Sequence, residues 1–254
     1  MWLTAAAALA ALAVLLAWPV PDAMAKAAWT RRAPRAAIAL WQAIGLVGGL
    51  SAVGSLLLLG FAPLGARWAA ANLAALVLAA LLFSWLTGVL ATSAVRIERD
   101  LSRQRAVVDL LGRPEPHGVR ILDHPEPAAY CLPGPQPRIV ITHGAIAALP
   151  PEELAAVLAH ERAHAAGRHE LVIQPFVAWQ SALPFLAPAR RATAAVAALV
   201  EMRADDAAAA ATSRLTVARA LARLGTQPPP GTQDAVPVDG AGASVLTRVR
   251  RLTI

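Results

Sequence analysis

Apolar and polar positions divide the chain into two parts. Three charge-free runs, Met1–Pro21, Ala36–Ala66 and Trp68–Val95, fill the first part, and each has the roughly 20 apolar residues that a helix needs to cross a bilayer. Only Arg67 separates the last two runs, which together are too long for a single crossing. Pro63, Gly65 and Arg67 therefore predict a tight hairpin between two spans. The expected transmembrane region is 1–95, with spans at about 1–21, 38–62 and 68–92.

Beyond residue 95 the pattern becomes that of a folded polar domain. Arg96–Leu111 mixes charges with Ile97, Leu101, Val108 and Leu111 and stops at Gly112, which predicts an amphipathic helix at the membrane edge with a glycine cap. Val119–Leu122, Ala129–Leu132 and Arg138–Thr142 are short β-like runs between proline- and glycine-rich turns, three strands of a small sheet. Pro150 and Pro151 followed by Glu152 and Glu153 start a helix expected to reach about Gly167. Leu171–Pro188 is apolar but broken by Gln174, Pro175, Gln180 and Pro184, which suits a re-entrant or membrane-surface element. Ala189–Ala211 reads as helix, Ser213 caps a further helix to Gly225, and Thr226–Gly242 reads as linker. The expected class is α+β, mainly α. It comprises multi-pass transmembrane helices, a domain over 96–225 with a small β-sheet, and a Pro/Gly-rich tail over 226–254.

Charge sharpens this division. Hydrophobic residues make up 57% of the 254 residues and charged residues 15%, too apolar for an ordinary soluble domain. Residues 1–95 hold six of the 39 charges. The net charge of +7 is spread without aromatic interleaving or a nucleic-acid motif, so direct nucleic-acid binding is not expected and the bilayer is. Two basic clusters adjoin the spans, Lys26, Arg31, Arg32 and Arg35 in the loop after the first and Arg96, Arg99, Arg103 and Arg105 after the third. Basic residues accumulate on the cytoplasmic side, which puts the polar domain in the cytoplasm of a multi-pass protein of the cell membrane. A rival is signal cleavage at Ala23-Met24-Ala25, which would put that domain outside, although no basic residue precedes the apolar run. Cys131 is the only cysteine, which excludes an intrachain disulfide framework and a zinc ribbon. It reads as a small buried residue, and Tyr130 as buried in the sheet with donation to an oxyanion as the alternative; His117, His124 and His143 read as loop histidines.

The candidate chemistry lies on the helix after Pro151, in His160-Glu161-Arg162-Ala163-His164. Histidines four apart lie on one helical face and can grip one metal ion. Glu161 stands beside that ion and can take a proton from a water activated by zinc, then return it to a leaving amine. Arg162 departs from the uncharged residue usual at this position. Catalytic zinc generally has three protein ligands. Glu201 and Asp205 lie four apart on a predicted helix, so Glu201 can ligate while Asp205 orients a histidine. The competing third ligand is Glu170, because Gly167 and Glu170 complete an HExxHxxGxxE pattern with His169 one position out of register.

With these residues, the chain resembles the BlaR/MecR-type membrane zinc metallopeptidases. The resemblance runs from the apolar spans through Arg138-Ile139-Val140-Ile141-Thr142, the Leu158–His164 helix and the Trp179–Pro188 stretch to Glu201–Asp206. It implies a gluzincin-like domain with one zinc ion on His160, His164 and Glu201 and with Glu161 as general base and acid. HtpX-type quality-control proteases share HExxH and the downstream ExxxD and are the nearest rival. Nothing after Gly225 suits a fourth span or a penicillin-binding domain, so a direct β-lactam receptor is not expected. The expected activity is proteolysis of a protein on the cytoplasmic side, with a BlaI/MecI-type transcriptional repressor as the partner the resemblance implies. Arg138–Thr142 is the strand expected to hold the substrate. HtpX-like degradation of membrane proteins and a non-catalytic membrane sensor with structural zinc are the alternatives.

Overall fold

A computed structural model describes residues 1–224 and 241–253. The chain divides into two compact units, Met1–Ala94 with Ile173–Val196, and Val95–Val172 with Ala197–Ile254.

The first unit is helical. Helices α1 (Trp2–Ala17), α2 (Pro19–Lys26) and α3 (Pro34–Gly60) are followed by α4 (Ala69–Leu111). Among the described residues, three stretches are long and apolar enough to cross a membrane: Trp2–Lys26, Pro34–Gly60 and Ala66–Leu111. Leu46, Leu50, Leu81 and Phe83 on them are exposed, a pattern that suits lipid better than water. The turn between α3 and α4 falls at the predicted hairpin. Gly65 takes a positive φ of 85° there, and the Asn72 side chain donates to the carbonyls of Gly60 and Ala62 at 3.1 and 2.6 Å. Gly60 has no Cβ because one would run into Leu76. The amphipathic segment after residue 95 is not a separate helix, as α4 runs unbroken to Leu111. Its arginines, glutamate and glutamine are good helix formers and do not interrupt it.

The apolar segment after Leu171 forms the end of α7 (His169–Ala182), with Pro175 inside it, and the start of α8 (Ala187–Ala211). Ile173–Val196 packs with the spans in the first unit: Phe176 meets Trp41 edge-on with ring centres 6.3 Å apart, and Trp179 meets Trp85 at 5.7 Å.

The second unit is built on a four-stranded sheet of β1 (Arg113–Glu115), β2 (Val119–Leu122), β3 (Ala129–Leu132) and β4 (Arg138–Thr142), in the order β1-β2-β4-β3. Strand β4 pairs parallel with β2 and antiparallel with β3. Side chains alternate across the sheet. Ile139 and Ile141 meet Val119, Ala145, Leu154 and Leu158 on one face, while Val140 meets Val108, Leu132 and Tyr130 on the other. Thr142 ends β4 and caps α5 (His143–Ala148), its hydroxyl accepting from the Ala145 N–H. Helix α6 (Pro151–Gly167) covers the first face and α9 (Arg214–Leu224) packs on α6, with the Ser213 hydroxyl accepting from the Thr216 N–H at its start.

Two expectations are corrected. The Arg138–Thr142 strand is paired on both sides and cannot take an added strand; its Ile-Val-Ile run is apolar because both faces are covered, as befits a central strand. Residues 241–253, read as tail, form α10 (Ala241–Thr253), which packs on α9. Residues 226–240 of the expected linker lie outside the described residues.

Candidate active site

Helix α6 brings His160 and His164 one turn apart on the same face. Their Nε2 atoms stand 3.1 Å from each other. Glu201, from α8, completes a triangle, with Oε2 3.4 Å from His160 Nε2 and Oε1 3.4 Å from His164 Nε2. Among the described residues this is the group of three able to hold a metal ion. The spacing can be tested against the metal. Tetrahedral bonds of 2.0–2.1 Å put ligand atoms about 3.3 Å apart, close to the 3.1 Å between the two imidazole nitrogens and to the 3.4 Å from each nitrogen to one of the two Glu201 oxygens. Two imidazoles and a carboxylate are also a donor set that suits zinc. Glu170 does not belong to this group, so Glu201 is the acid that stands with the histidines.

Each histidine has a partner on its other ring nitrogen. His160 Nδ1 lies 3.1 Å from Oδ1 of Asp205, one turn along α8 from Glu201 and fully buried. His164 Nδ1 lies 3.0 Å from Nδ1 of His169, at the start of α7. The sequence singled out Asp205 but left His169 without a role.

Arg248 was missed altogether. From α10 it donates Nε and Nη2 to the two carboxylate oxygens of Asp205, both at 2.7 Å, and its Nη1 stands 2.9 Å from Glu201 Oε2. One turn on, Arg251 makes a second forked pair with Asp206 at 2.8 and 2.7 Å. The planar guanidinium matches two oxygens at once, which is why arginine serves here. The signal available in the sequence was the repeated basic residue at Arg248 and Arg251 on an amphipathic segment, facing Asp205-Asp206.

Electrostatics separates the groups. Burial works against charge on His160, but hydrogen bonds to Asp205 and Glu201 and the fields of Glu201 and Glu161 prevail and lift its pKa to about 10. Burial lowers His164 and His169 to about 4, so both are neutral at pH 7. Glu201 is held below the usual carboxylate range: burial opposes this, and His160, His164 and Arg248 outweigh it. Glu161 is raised to about 7, chiefly by burial, with the charge on Glu201 adding to the rise and His160, Arg248 and the Cys131 main-chain N–H working against it. A carboxylate tuned near neutrality is suited to move a proton in either direction.

That contact with Cys131 locates the open strand. Ala128 exchanges bonds with Thr142 of β4, its carbonyl accepting from the Thr142 N–H and its own N–H donating to the Thr142 hydroxyl. By antiparallel alternation Tyr130 also faces β4, whereas Ala129 and Cys131 turn their main-chain groups to the free edge. Cys131 there meets Glu161. Next to it is a pocket of about 180 Å³ lined by Ala129, Ala156, Val157, Val217 and Leu221, with His160, Glu161, Glu201 and Arg248 in its wall. Tyr130 packs with Val108 and Val140 on the face opposite to that covered by α6, so it is a core residue. His124 accepts from the Glu126 N–H, and His143 pairs with Asp123 at the surface. His117 occupies a left-handed turn position at φ 61°.

The sequence profile of Peptidase family M48 matches residues 91–227. This is over half of the 254 residues, and the chain belongs to that family of zinc metallopeptidases. Arg248 lies beyond the matched segment. No curated protein and no solved structure gives a significant match.

Proposed function

We propose that this protein is a membrane-bound zinc endopeptidase that cuts an extended segment of a protein substrate on the cytoplasmic side. The observation that carries the reading is the His160–His164–Glu201 triangle with Glu161 beside it and the free edge of β3 alongside. Zinc held by those three side chains would supply Lewis-acid activation of water and of the scissile carbonyl. Asp205 and His169 hold the two imidazoles so that each Nε2 faces the shared centre, where any proton it carries is lost when zinc binds. The Glu161 carboxylate takes a proton from the attacking water and hands it to the departing amine, a round trip favoured by a pKa near 7. A substrate strand adds to β3 through the main chain of Ala129, and the adjoining apolar pocket takes one side chain.

The substrate we favour is one dedicated protein, a BlaI/MecI-type repressor, as the resemblance implies. Cutting a dimeric repressor weakens its grip on two half-sites and releases transcription. The basic clusters after the first and the third span fall on one side of a three-span topology and support a cytoplasmic site. Comparing the proteins of a wild-type strain with those of a Glu161→Gln strain tests this role. Accumulation of one repressor supports it, and broad accumulation of misfolded membrane proteins transfers the assignment to an HtpX-like role. Reporter fusions after Arg105 should report cytoplasm, and an exterior signal would overturn the orientation.

A further inference from the structure

The turn that ends α6 puts an imidazole where metal-binding histidines usually meet a carboxylate or a carbonyl. Arg168 closes the helix in the left-handed conformation, φ 45° and ψ 48°, and the chain turns back at once into α7. This return folds His169 over the last turn of α6, where the residue is 3% exposed and its ring stands edge-on to His164 with ring centres 4.8 Å apart. Gly167 makes room for it, since a Cβ at that position would run into the His169 ring. The glycine and the histidine of the HExxHxxGxxE stretch are thus explained together, without either being a ligand.

We propose that His169 is the positioning residue of His164. The two Nδ1 atoms are 3.0 Å apart, so one of them carries a proton and the other accepts it. His164 Nε2 faces His160 Nε2 and Glu201 Oε1. For that nitrogen to offer a lone pair, the His164 proton must sit on Nδ1 and be donated to His169, whose own proton then sits on Nε2. His169 selects the ligating tautomer of His164 and fixes the ring plane. The inference rests on the three-donor reading of the site.

The test uses the full-length protein purified in detergent, with zinc affinity measured by competition against a chromogenic chelator and ligand geometry read from the visible spectrum of the cobalt-substituted protein. His169→Leu fills the buried space but cannot accept a proton, and should weaken zinc by about 10- to 100-fold and alter the cobalt bands. His169→Asp restores an acceptor and should recover most of the affinity. Gly167→Ala keeps the histidine but displaces its ring, and should weaken zinc in the same direction; circular dichroism of each metal-free variant confirms that it is folded. Wild-type affinity in His169→Leu, or an equal loss in the folded Leu and Asp variants, would overturn the inference. His164→Ala separates this from the parent reading: if it binds zinc as the wild type does, the three-donor site itself is wrong.

Discussion

The two sides of the candidate site hold their histidines by opposite means. On the side built by α8 and α10, His160 meets Asp205, and Arg248 grips both Asp205 and Glu201. On the side built by the α6–α7 turn, His164 meets the uncharged ring of His169. The first side is a chain of full charges with Asp205 and Arg248 buried, and His160 accordingly stands at about 10. The second is neutral, with His164 and His169 near 4. The difference is one of consequence when a member is removed. Breaking a buried charged set strands an uncompensated charge, whereas breaking a neutral pair loses orientation and one hydrogen bond.

The charged side should therefore fail hardest. Asp205→Ala leaves the buried Arg248 guanidinium without its forked partner and His160 without its acceptor. It should destabilise the metal-free protein by about 3–5 kcal/mol, the usual cost of breaking a buried pair. Denaturant unfolding followed by the exposure of Cys131, which lies in the same unit, would check this. A loss below ~1 kcal/mol would mean that the charges are not buried as described.

Arg248→Met reverses the imbalance by leaving Asp205 and Glu201 with His160 but without the guanidinium that pairs with both. The metal-free protein should lose about 3 kcal/mol, and part of this should return on adding zinc, because the ion brings positive charge to the same place. Ending the chain after Leu224 removes α10 and should do at least as much damage. Thermal melts with and without zinc would show whether the rescue is specific to the charged side; equal rescue in His169→Leu would erase the contrast.

The smallest expected effect is at Cys131, beside the site but outside both sets. Burial first, then the charges of Glu161 and Glu170, raises its thiol to about 12. Since the thiolate is the reactive form, alkylation at pH 8 should be about 1,000-fold slower than for a free cysteine. Fast labelling of the folded protein would show that the β3 edge is more open than described.

Legibility in the sequence followed the reach of each interaction. His160, Glu161 and His164 were readable because four residues make one helical turn, and Glu201 with Asp205 because they repeat that spacing. The strand segments were readable from short apolar runs between prolines and glycines, and β2, β3 and β4 match them. Their order was not: pairing β4 between β2 and β3 is a tertiary choice, and the strand free to add a substrate is β3. Arg248 acts across 43 residues on Asp205, so its spacing with Arg251 could mark a basic helical face but not the partner. His169 was visible as a residue, but its role depends on the left-handed turn at Arg168 and the missing Cβ at Gly167.

The central claim is that Glu161 moves a proton in a centre held by His160, His164 and Glu201. The most direct test measures bound zinc and peptide-bond cleavage together on the wild-type, Glu161→Gln and Glu201→Ala proteins, using an unfolded protein as substrate. The account predicts one zinc and cleavage for the wild type, one zinc and at least about a 100-fold slower cleavage for Glu161→Gln, and loss of both zinc and cleavage for Glu201→Ala. Undiminished cleavage by Glu161→Gln, or full zinc occupancy in Glu201→Ala, would contradict it.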